Sequence, residues 1–193
     1  SLKSHNSSKS NVFEPSKKFR EAAENRVGIP GENLFGTLED VKSEHFDFVT
    51  MLDVIEHLPE KEIHHIISNL ASRMSPGGVL FGETPNASSF NIWLHGIKDP
   101  VISPPGHLFY FTKKSLHKLL TEHGFKRVLL VTKGFSTNSF FRSKKFEPSW
   151  VEMPNNSQKL LSKIVRLAFG LINIPVSVFG LGYHLVFVYQ LKK

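Results

Sequence analysis

The 193-residue sequence contains no cysteine. This absence excludes thiolate nucleophiles, disulfide bonds and zinc–thiolate sites, and it fits a reducing compartment. Any metal site would have to use histidine nitrogen and carboxylate oxygen. The first ten residues are polar and lack the apolar segment of a secretory signal. We therefore expect a cytoplasmic location.

The composition is that of a globular protein, with 40% apolar and 21% charged residues. A chain of this length can bury one substantial core, so we expect a single domain over residues 1–193. The net charge is +7. Because the basic residues are spread along the chain and form no run, nucleic acid is a less favoured partner than a small molecule. The oligomeric state is left open.

The sequence is organised around residues 46–58. An apolar run from Phe46 ends at Asp53, and a segment of helical period follows, which predicts a buried strand leading into a helix. In an open parallel sheet, ligands bind outside the carboxyl ends of the strands. We therefore expect a ligand site here. If the turn is helical, Asp53, Glu56 and His57 share one face because they stand at i, i+3 and i+4.

Three motifs together resemble the class I S-adenosylmethionine (SAM)-dependent methyltransferases. They are Phe-Asp-x-Val-x-x-x-Asp-Val-Ile-Glu-His-Leu at 46–58, Ser75-Pro76-Gly77-Gly78-Val79-Leu80 and Thr84-Pro85-Asn86. The similarity is greatest to the branch that contains the ubiquinone-pathway O-methyltransferases. The resemblance implies an α/β fold, a Rossmann-like sheet with helices on both faces. It also implies SAM as cofactor and O-methylation of a small molecule, a lipid precursor or a sugar.

In this family a glycine-rich loop, an acidic residue followed by Gly-x-Gly, comes after the first strand. The sequence contains no such loop, and residues 12–16 resemble the second strand of the family. We therefore expect an N-terminally truncated, partial domain that lacks the first strand. A non-catalytic remnant or scaffold of the same fold stays open as an alternative.

The resemblance places the cofactor at the ends of three strands. Glu14, at the end of the second family strand, would accept hydrogen bonds from the ribose hydroxyls. Its alternative role is a favourable charge at the N-terminus of a helix. Thr37 departs from the family pattern, in which aspartate is frequent. The complete predicted cofactor set is Glu14, Thr37, Leu38, Leu52 and Asp53.

The resemblance also implies a metal site. Asp53, Glu56, His57 and His107 are similar to the ligands of small-RNA 2′-O-methyltransferases and of metal-dependent quinone-pathway relatives. Such a set would hold Mg²⁺ or Mn²⁺, which would lower the pKa of an acceptor hydroxyl. Alternatively, Asp53 and Glu56 form a capping box at a helix N-terminus. In either case His57 and His107 are the candidate catalytic residues, as ligands or as general bases.

Residues 87–111 have no clean period and are rich in proline, glycine and aromatic residues. A long segment of this kind predicts a lid-like insertion over the acceptor, whereas the alternative is a surface excursion packed on the sheet. We expect Glu56, Asn86, Trp93 and Tyr110 to bind a small-molecule or lipid-like methyl acceptor.

The C-terminal part contains a stretch without charge, residues 167–190. It is long enough to cross a bilayer, but Pro175, Gly180 and His184 interrupt it. We predict an amphipathic helical segment within residues 151–183, and residues 184–191 resemble the last strand of the family. The amphipathic part, residues 159–172, leaves open a membrane-associated, peripheral protein.

Overall fold

The computed structural model describes residues 11–14, 17–37, 40–41, 45–134 and 177–192. The chain divides into two compact units, Ser1–Glu44 and His45–Lys193. The described strands form a two-stranded sheet in the first unit and a four-stranded sheet in the second. Among the described strands, none pairs with strands of both sheets. Whether the chain is truncated stays a prediction.

The first unit is a parallel strand–helix–strand unit. Strand β1, Val12–Phe13, pairs in parallel with β2, Leu34–Phe35. Helix α1, Lys17–Ala22, continues as a π-helix over Ala23–Val27. Gly28 ends it with a φ of 77°, in the left-handed region that glycine adopts without a steric penalty. A helix is the usual connection between parallel neighbours.

The second unit contains a mixed sheet with the order β3-β4-β6-β5. Its strands are β3 (Phe46–Leu52), β4 (Met74–Pro85), β5 (Phe125–Lys133) and β6 (His184–Leu191). Strands β3 and β4 are parallel, whereas β6 is antiparallel to both β4 and β5. The predicted α/β, Rossmann-like sheet with flanking helices is confirmed, with one strand reversed relative to its neighbours.

Two amphipathic helices accompany this sheet. Helix α2, Glu60–Arg73, buries the stripe Ile63, Ile67 and Leu70, as its period predicts. Helix α4, Lys113–Glu122, buries Leu116, Leu119 and Leu120. It begins at Thr112, whose side chain accepts a hydrogen bond from the backbone N–H of Ser115. This cap satisfies one of the amide groups that a helix leaves unpaired at its first turn.

Strand β6 lies at the centre of the core. Its alternate residues Leu185, Phe187 and Tyr189 are fully buried. Opposite Phe187, Gly82 of β4 has no side chain, and a Cβ there would contact the Phe187 ring and lie 2.7 Å from the Met51 carbonyl oxygen. Glycine therefore lets the large ring of Phe187 pack against β4.

Residues 87–111 contain a short helix, α3, Phe90–His95, capped by the side chain of Ser89, and a 3₁₀ turn, Gly96–Lys98. The predicted lid function of this segment stays a prediction. Most of the predicted amphipathic segment 151–183 lies outside the described residues, whereas the final strand starts at His184 as predicted. Within the described part of the chain, every helix is too short or too polar to cross a bilayer.

Candidate functional site

The turn that follows β3 is not α-helical. Asp53 has a φ of 49°, and its N–H donates to the Glu83 carbonyl oxygen at 2.9 Å. A 3₁₀ turn follows, Ile55–His57, and α2 begins only at Glu60. Leu58 is extended because the ring of the following proline disfavours helical backbone there. The prediction of a helix directly after Asp53 was therefore wrong, and the i, i+3, i+4 argument does not apply.

Glu56 is a buried carboxyl group, with only 1% of the residue exposed. Its Oε2 accepts a hydrogen bond from the Thr84 hydroxyl at 2.9 Å, whereas its Oε1 has no hydrogen-bond partner. No side-chain hydrogen bond caps the 3₁₀ turn. The capping-box alternative is therefore wrong, because the Glu56 carboxylate bonds across to β4.

Burial raises the pKa of Glu56 above its ordinary value of 4.5. Loss of water disfavours the charged form, and the negative charge of Asp53 adds to this effect. A backbone hydrogen bond at Glu56, the hydrogen bond from Thr84 and the proximity of His57 oppose it. Burial has the largest effect, so the carboxylate is held in a site where a positive partner would stabilise it.

Two histidine rings lie beside this carboxylate. The Nδ1 of His57 lies 2.6 Å from the Gly106 carbonyl oxygen, and the Nδ1 of His107 lies 2.7 Å from the Val101 carbonyl oxygen. A carbonyl oxygen only accepts hydrogen bonds, so both Nδ1 atoms carry the proton. In the neutral rings, both Nε2 atoms therefore present a lone pair.

The histidines come from separate segments that the backbone holds together. The Glu56 carbonyl oxygen accepts hydrogen bonds from the N–H groups of Leu108 (2.8 Å) and Phe109 (3.0 Å). This pairing ties residues 106–109 to the 3₁₀ turn. It brings the rings of His57 and His107 to a centroid separation of 4.8 Å, edge to face.

Glu56, His57 and His107 each offer a ligand atom, and these atoms lie within 4.8 Å of one another. The Nε2 of His57 lies 3.9 Å from the Glu56 Oε1. One carboxylate oxygen and two imidazole nitrogens can bind a divalent cation or accept a proton from a bound hydroxyl. Three of the four predicted metal residues are thus brought together.

Asp53 is the fourth, and it lies outside this cluster. Its Oδ1 lies 4.0 Å from the Nδ1 of His184, which is 3.2 Å from the Glu83 carboxylate. The prediction that Asp53 shares a face with Glu56 and His57 is corrected accordingly.

Residues 5–130 match a family model described as a methyltransferase domain, which is more than half of the chain. The chain belongs to this methyltransferase family. No curated protein sequence matches the chain significantly.

Solved structures share the fold of this methyltransferase. A SAM-dependent methyltransferase from Thermotoga maritima, described as a possible histamine N-methyltransferase, is 19% identical, with a TM-score of 0.61 over 95% of this chain and 73% of that one. A SAM-dependent methyltransferase from Archaeoglobus fulgidus is 14% identical, with a TM-score of 0.56 over 92% and 74%. The N-methyltransferase NodS from Bradyrhizobium japonicum, in complex with S-adenosylhomocysteine, is 13% identical, with a TM-score of 0.53 over 95% and 66%.

Three of the predicted cofactor residues, Glu14, Leu52 and Asp53, lie at strand ends, each within its own unit. In the first unit, the Glu14 N–H donates to the Phe35 carbonyl oxygen at 3.0 Å, so strand pairing continues to Glu14. Its carboxylate therefore stands directly at a strand end. In the second unit, Leu52 and Asp53 follow one another at the end of β3, and both are exposed.

The other predicted cofactor residues are less informative. Thr37 is exposed, and its hydroxyl oxygen accepts a hydrogen bond from the Asp40 N–H at 3.2 Å. Leu38 lies outside the described residues. The cofactor roles of Glu14, Thr37, Leu38, Leu52 and Asp53 stay predictions.

The predicted acceptor residues occupy three different environments. Asn86 is fully buried, its Nδ2 donates to the carbonyl oxygens of Gly180 and Gly182, and its Oδ1 accepts from the Ser88 N–H. This geometry favours a structural role. The Tyr110 hydroxyl donates to the His107 carbonyl oxygen at 3.1 Å, whereas Trp93 is 76% exposed on α3. Acceptor binding by Asn86, Trp93 and Tyr110 stays a prediction.

Thr84 is a site residue that the sequence argument overlooked. It belongs to the Thr84-Pro85-Asn86 motif, but nothing in the motif indicated that its hydroxyl reaches Glu56 from β4. One signal was available. The side chains of a strand alternate between the two faces of the sheet, so Thr84 lies on the face opposite to that of Glu83.

Proposed function

We propose that this methyltransferase transfers the methyl group of SAM to a hydroxyl oxygen of a small molecule, a lipid precursor or a sugar. The supporting observation is the buried Glu56 Oε1, which has no hydrogen-bond partner and lies beside two histidines. A hydroxyl oxygen is a weak nucleophile until its proton is removed or its pKa is lowered. The proposal agrees with the resemblance of residues 46–58 to the ubiquinone-pathway O-methyltransferases.

The protein would act mainly by positioning. When bound, SAM supplies an electrophilic methyl group on a sulfonium whose sulfur leaves as a neutral thioether. This chain would hold the acceptor oxygen in line with that bond and keep water away. His57 and His107 are oriented for such a task, because their Nδ1–H groups are fixed by the Gly106 and Val101 carbonyl oxygens.

We further propose that Glu56, His57 and His107 hold a divalent cation, Mg²⁺ or Mn²⁺. Metal-binding histidines commonly donate their second ring N–H to a backbone carbonyl, which is the arrangement of both rings here. A cation would neutralise the buried carboxylate, and it would lower the pKa of an acceptor hydroxyl. Without a cation, the Nε2 of His57 or His107 would be the proton acceptor.

Calorimetric titration with Mn²⁺ tests the metal site on the full chain. We expect binding that Glu56→Gln and His107→Ala weaken by at least about tenfold, since removing even an outer-shell partner typically costs that much. His64→Ala is the matched control, because His64 is an exposed histidine on α2 outside the cluster. Equal binding by all four proteins would contradict the site.

Methyl transfer from radiolabelled SAM to a panel of phenolic, lipid and sugar hydroxyls, with matched amines, tests the reaction. We expect a methylated product that does not form when the acceptor hydroxyl is chemically blocked. We also expect EDTA to remove the activity and Mn²⁺ to restore it. Activity that survives EDTA but is lost in both His57→Ala and His107→Ala would overturn the cation and support a general base. Methylation only of amine acceptors would overturn the oxygen assignment.

A further inference from the structure

A group of large apolar side chains is exposed on the second unit. Trp93 is 76% exposed, Ile97 87%, Val178 75% and Phe179 76%. They stand on α3, on the 3₁₀ turn after it, and on the segment that precedes β6. We define the apolar face as Trp93, Leu94, Ile97, Val178, Phe179 and Leu181.

Contacts of the backbone hold the two parts of this face together. The Phe90 N–H donates to the Leu181 carbonyl oxygen at 2.9 Å, and the Phe90 and Trp93 rings lie 5.4 Å apart. Asn86 donates to the carbonyl oxygens of Gly180 and Gly182 at 3.1 and 2.7 Å. Helix α3 and residues 180–182 are therefore neighbours, which brings the two groups of exposed apolar residues into one region of the fold.

Helix α3 buries a polar residue and exposes apolar ones, which is the reverse of a helix that packs its apolar side against a core. Asn91 is buried, with 1% of the residue exposed, whereas Trp93 and Leu94 are turned outward. Ile97 stands four residues after Trp93, close to it along the chain. Contiguous exposed apolar surface of this kind marks a binding surface in soluble proteins.

The charges near this face have one sign. Residues 87–113 and 177–184 contain two lysines, Lys98 and Lys113, and a single acidic residue, Asp99. Asp99 is buried, and its Oδ1 accepts hydrogen bonds from the Val101 N–H and the Tyr183 hydroxyl. Lys98 is exposed next to Ile97, and Lys113 is so close to Gly180 that a Cβ there would lie 3.2 Å from its Nζ. Cations therefore border the apolar face.

We propose that the apolar face docks on an anionic lipid surface. Tryptophan and aliphatic side chains enter the boundary between headgroups and acyl chains, and the bordering lysines meet anionic headgroups. A second copy of this chain is a poorer partner, since a two-fold interface would place lysines against lysines. This inference does not rest on the cation site.

A fluorescence experiment on the full chain tests it. The chain has two tryptophans, so Trp150→Phe leaves Trp93 as the sole reporter. We expect vesicles of phosphatidylcholine with phosphatidylglycerol to shift the Trp93 emission to the blue, and acyl-brominated lipids to quench it. Vesicles of phosphatidylcholine alone should bind more weakly.

Vesicle sedimentation of variants locates the contact. In the Trp150→Phe background, Ile97→Ser should weaken vesicle binding on the order of tenfold, because the serine side chain buries less apolar surface. Lys98→Glu should weaken it by more than about fivefold. Phe48→Ser on β3 and Lys126→Glu on β5 are the matched controls, each at an exposed residue on another strand, and should leave binding unchanged. Binding of S-adenosylhomocysteine verifies that each variant is folded.

Several results would overturn the proposal. One is sedimentation with vesicles while Trp93 emission stays unshifted, which would assign lipid binding to another part of the chain. Another is equal loss of binding in the Ile97 and Phe48 variants. A third is a concentration-dependent dimer in solution that Ile97→Ser converts to a monomer, with no vesicle binding, because the face would then be a contact between copies.

Discussion

Replacing Thr84 with valine tests the hydrogen bond that anchors Glu56. Valine has nearly the shape of threonine but lacks the hydroxyl, so the Glu56 Oε2 would lose its donor. The Oε1 already has no hydrogen-bond partner, and both residues are buried. The variant would therefore bury the Glu56 carboxyl group without its side-chain donor.

The size of the effect depends on the charge of Glu56. A hydrogen bond to a charged group stabilises the folded protein by about 1.5–3 kcal/mol, and a bond between neutral groups by about 0.5–1.5 kcal/mol. Thr84→Val should therefore lower the free energy of unfolding by the larger amount when Glu56 is ionised, and by the smaller amount when it is protonated. The larger loss is a considerable part of a typical total of about 5–15 kcal/mol.

The direction of the pH dependence follows from the raised pKa of Glu56. The folded protein holds this proton more tightly than the unfolded chain, whose pKa is near the ordinary 4.5. Wild-type stability from this group is therefore greatest below that value, and it is lost as pH rises through the raised pKa. Removing the Thr84 donor raises the pKa further, so the deficit of the variant should widen as pH rises across the same window.

Urea unfolding of both proteins across this pH range, with EDTA present to exclude cations, measures the deficit. Thr50→Val is the matched control, because Thr50 is exposed on β3, and its stability should stay within about 0.5 kcal/mol of wild type. In a Glu56→Gln background the deficit should no longer change with pH. A deficit that is constant with pH, or below about 0.5 kcal/mol at neutral pH, would refute the reasoning.

Two further predictions concern residues at strand ends. Asn86→Ala should destabilise the chain by about 2–4 kcal/mol, because it leaves buried carbonyl groups without donors, and urea unfolding with unchanged S-adenosylhomocysteine affinity in the folded protein would confirm a structural role. Glu14→Ala should weaken binding of S-adenosylhomocysteine by about 1.5–3 kcal/mol through loss of a charge-assisted hydrogen bond. Calorimetry measures this loss, and Glu21→Ala, at an exposed glutamate on α1, is its control.

The sequence was most informative where one periodic pattern extended over a whole element. The apolar residues of helix α2 recur with the helical period, and the structure buries them as one stripe. Strand β6 starts at His184, as the resemblance to the last strand of the family implied. The direction of β6 could not be predicted from its apolar composition, because that composition is the same for a strand that runs either way.

The site was harder to predict because its geometry depends on a short turn. Five residues from Asp53 to His57 carry too little periodicity to distinguish an α-turn from a 3₁₀ turn. Pro59 was the available signal, since it makes Leu58 extended and delays the helix to Glu60. The resemblance to known methyltransferases nevertheless led to three residues that the structure brings together, although their sequence spacing gave the wrong reason.

The separation of Asp53 from the other three residues has its origin in the pleat of β4. Thr84 and Glu83 are consecutive, so their side chains point to opposite faces of the sheet. Thr84 binds Glu56, whereas Glu83 faces His184, which in turn lies near Asp53. A shift of one residue in β4 would exchange these two partners. The pairing of β4 with β3 and β6 therefore determines which carboxylates join the histidines, and no property of residues 53–57 alone could have done so.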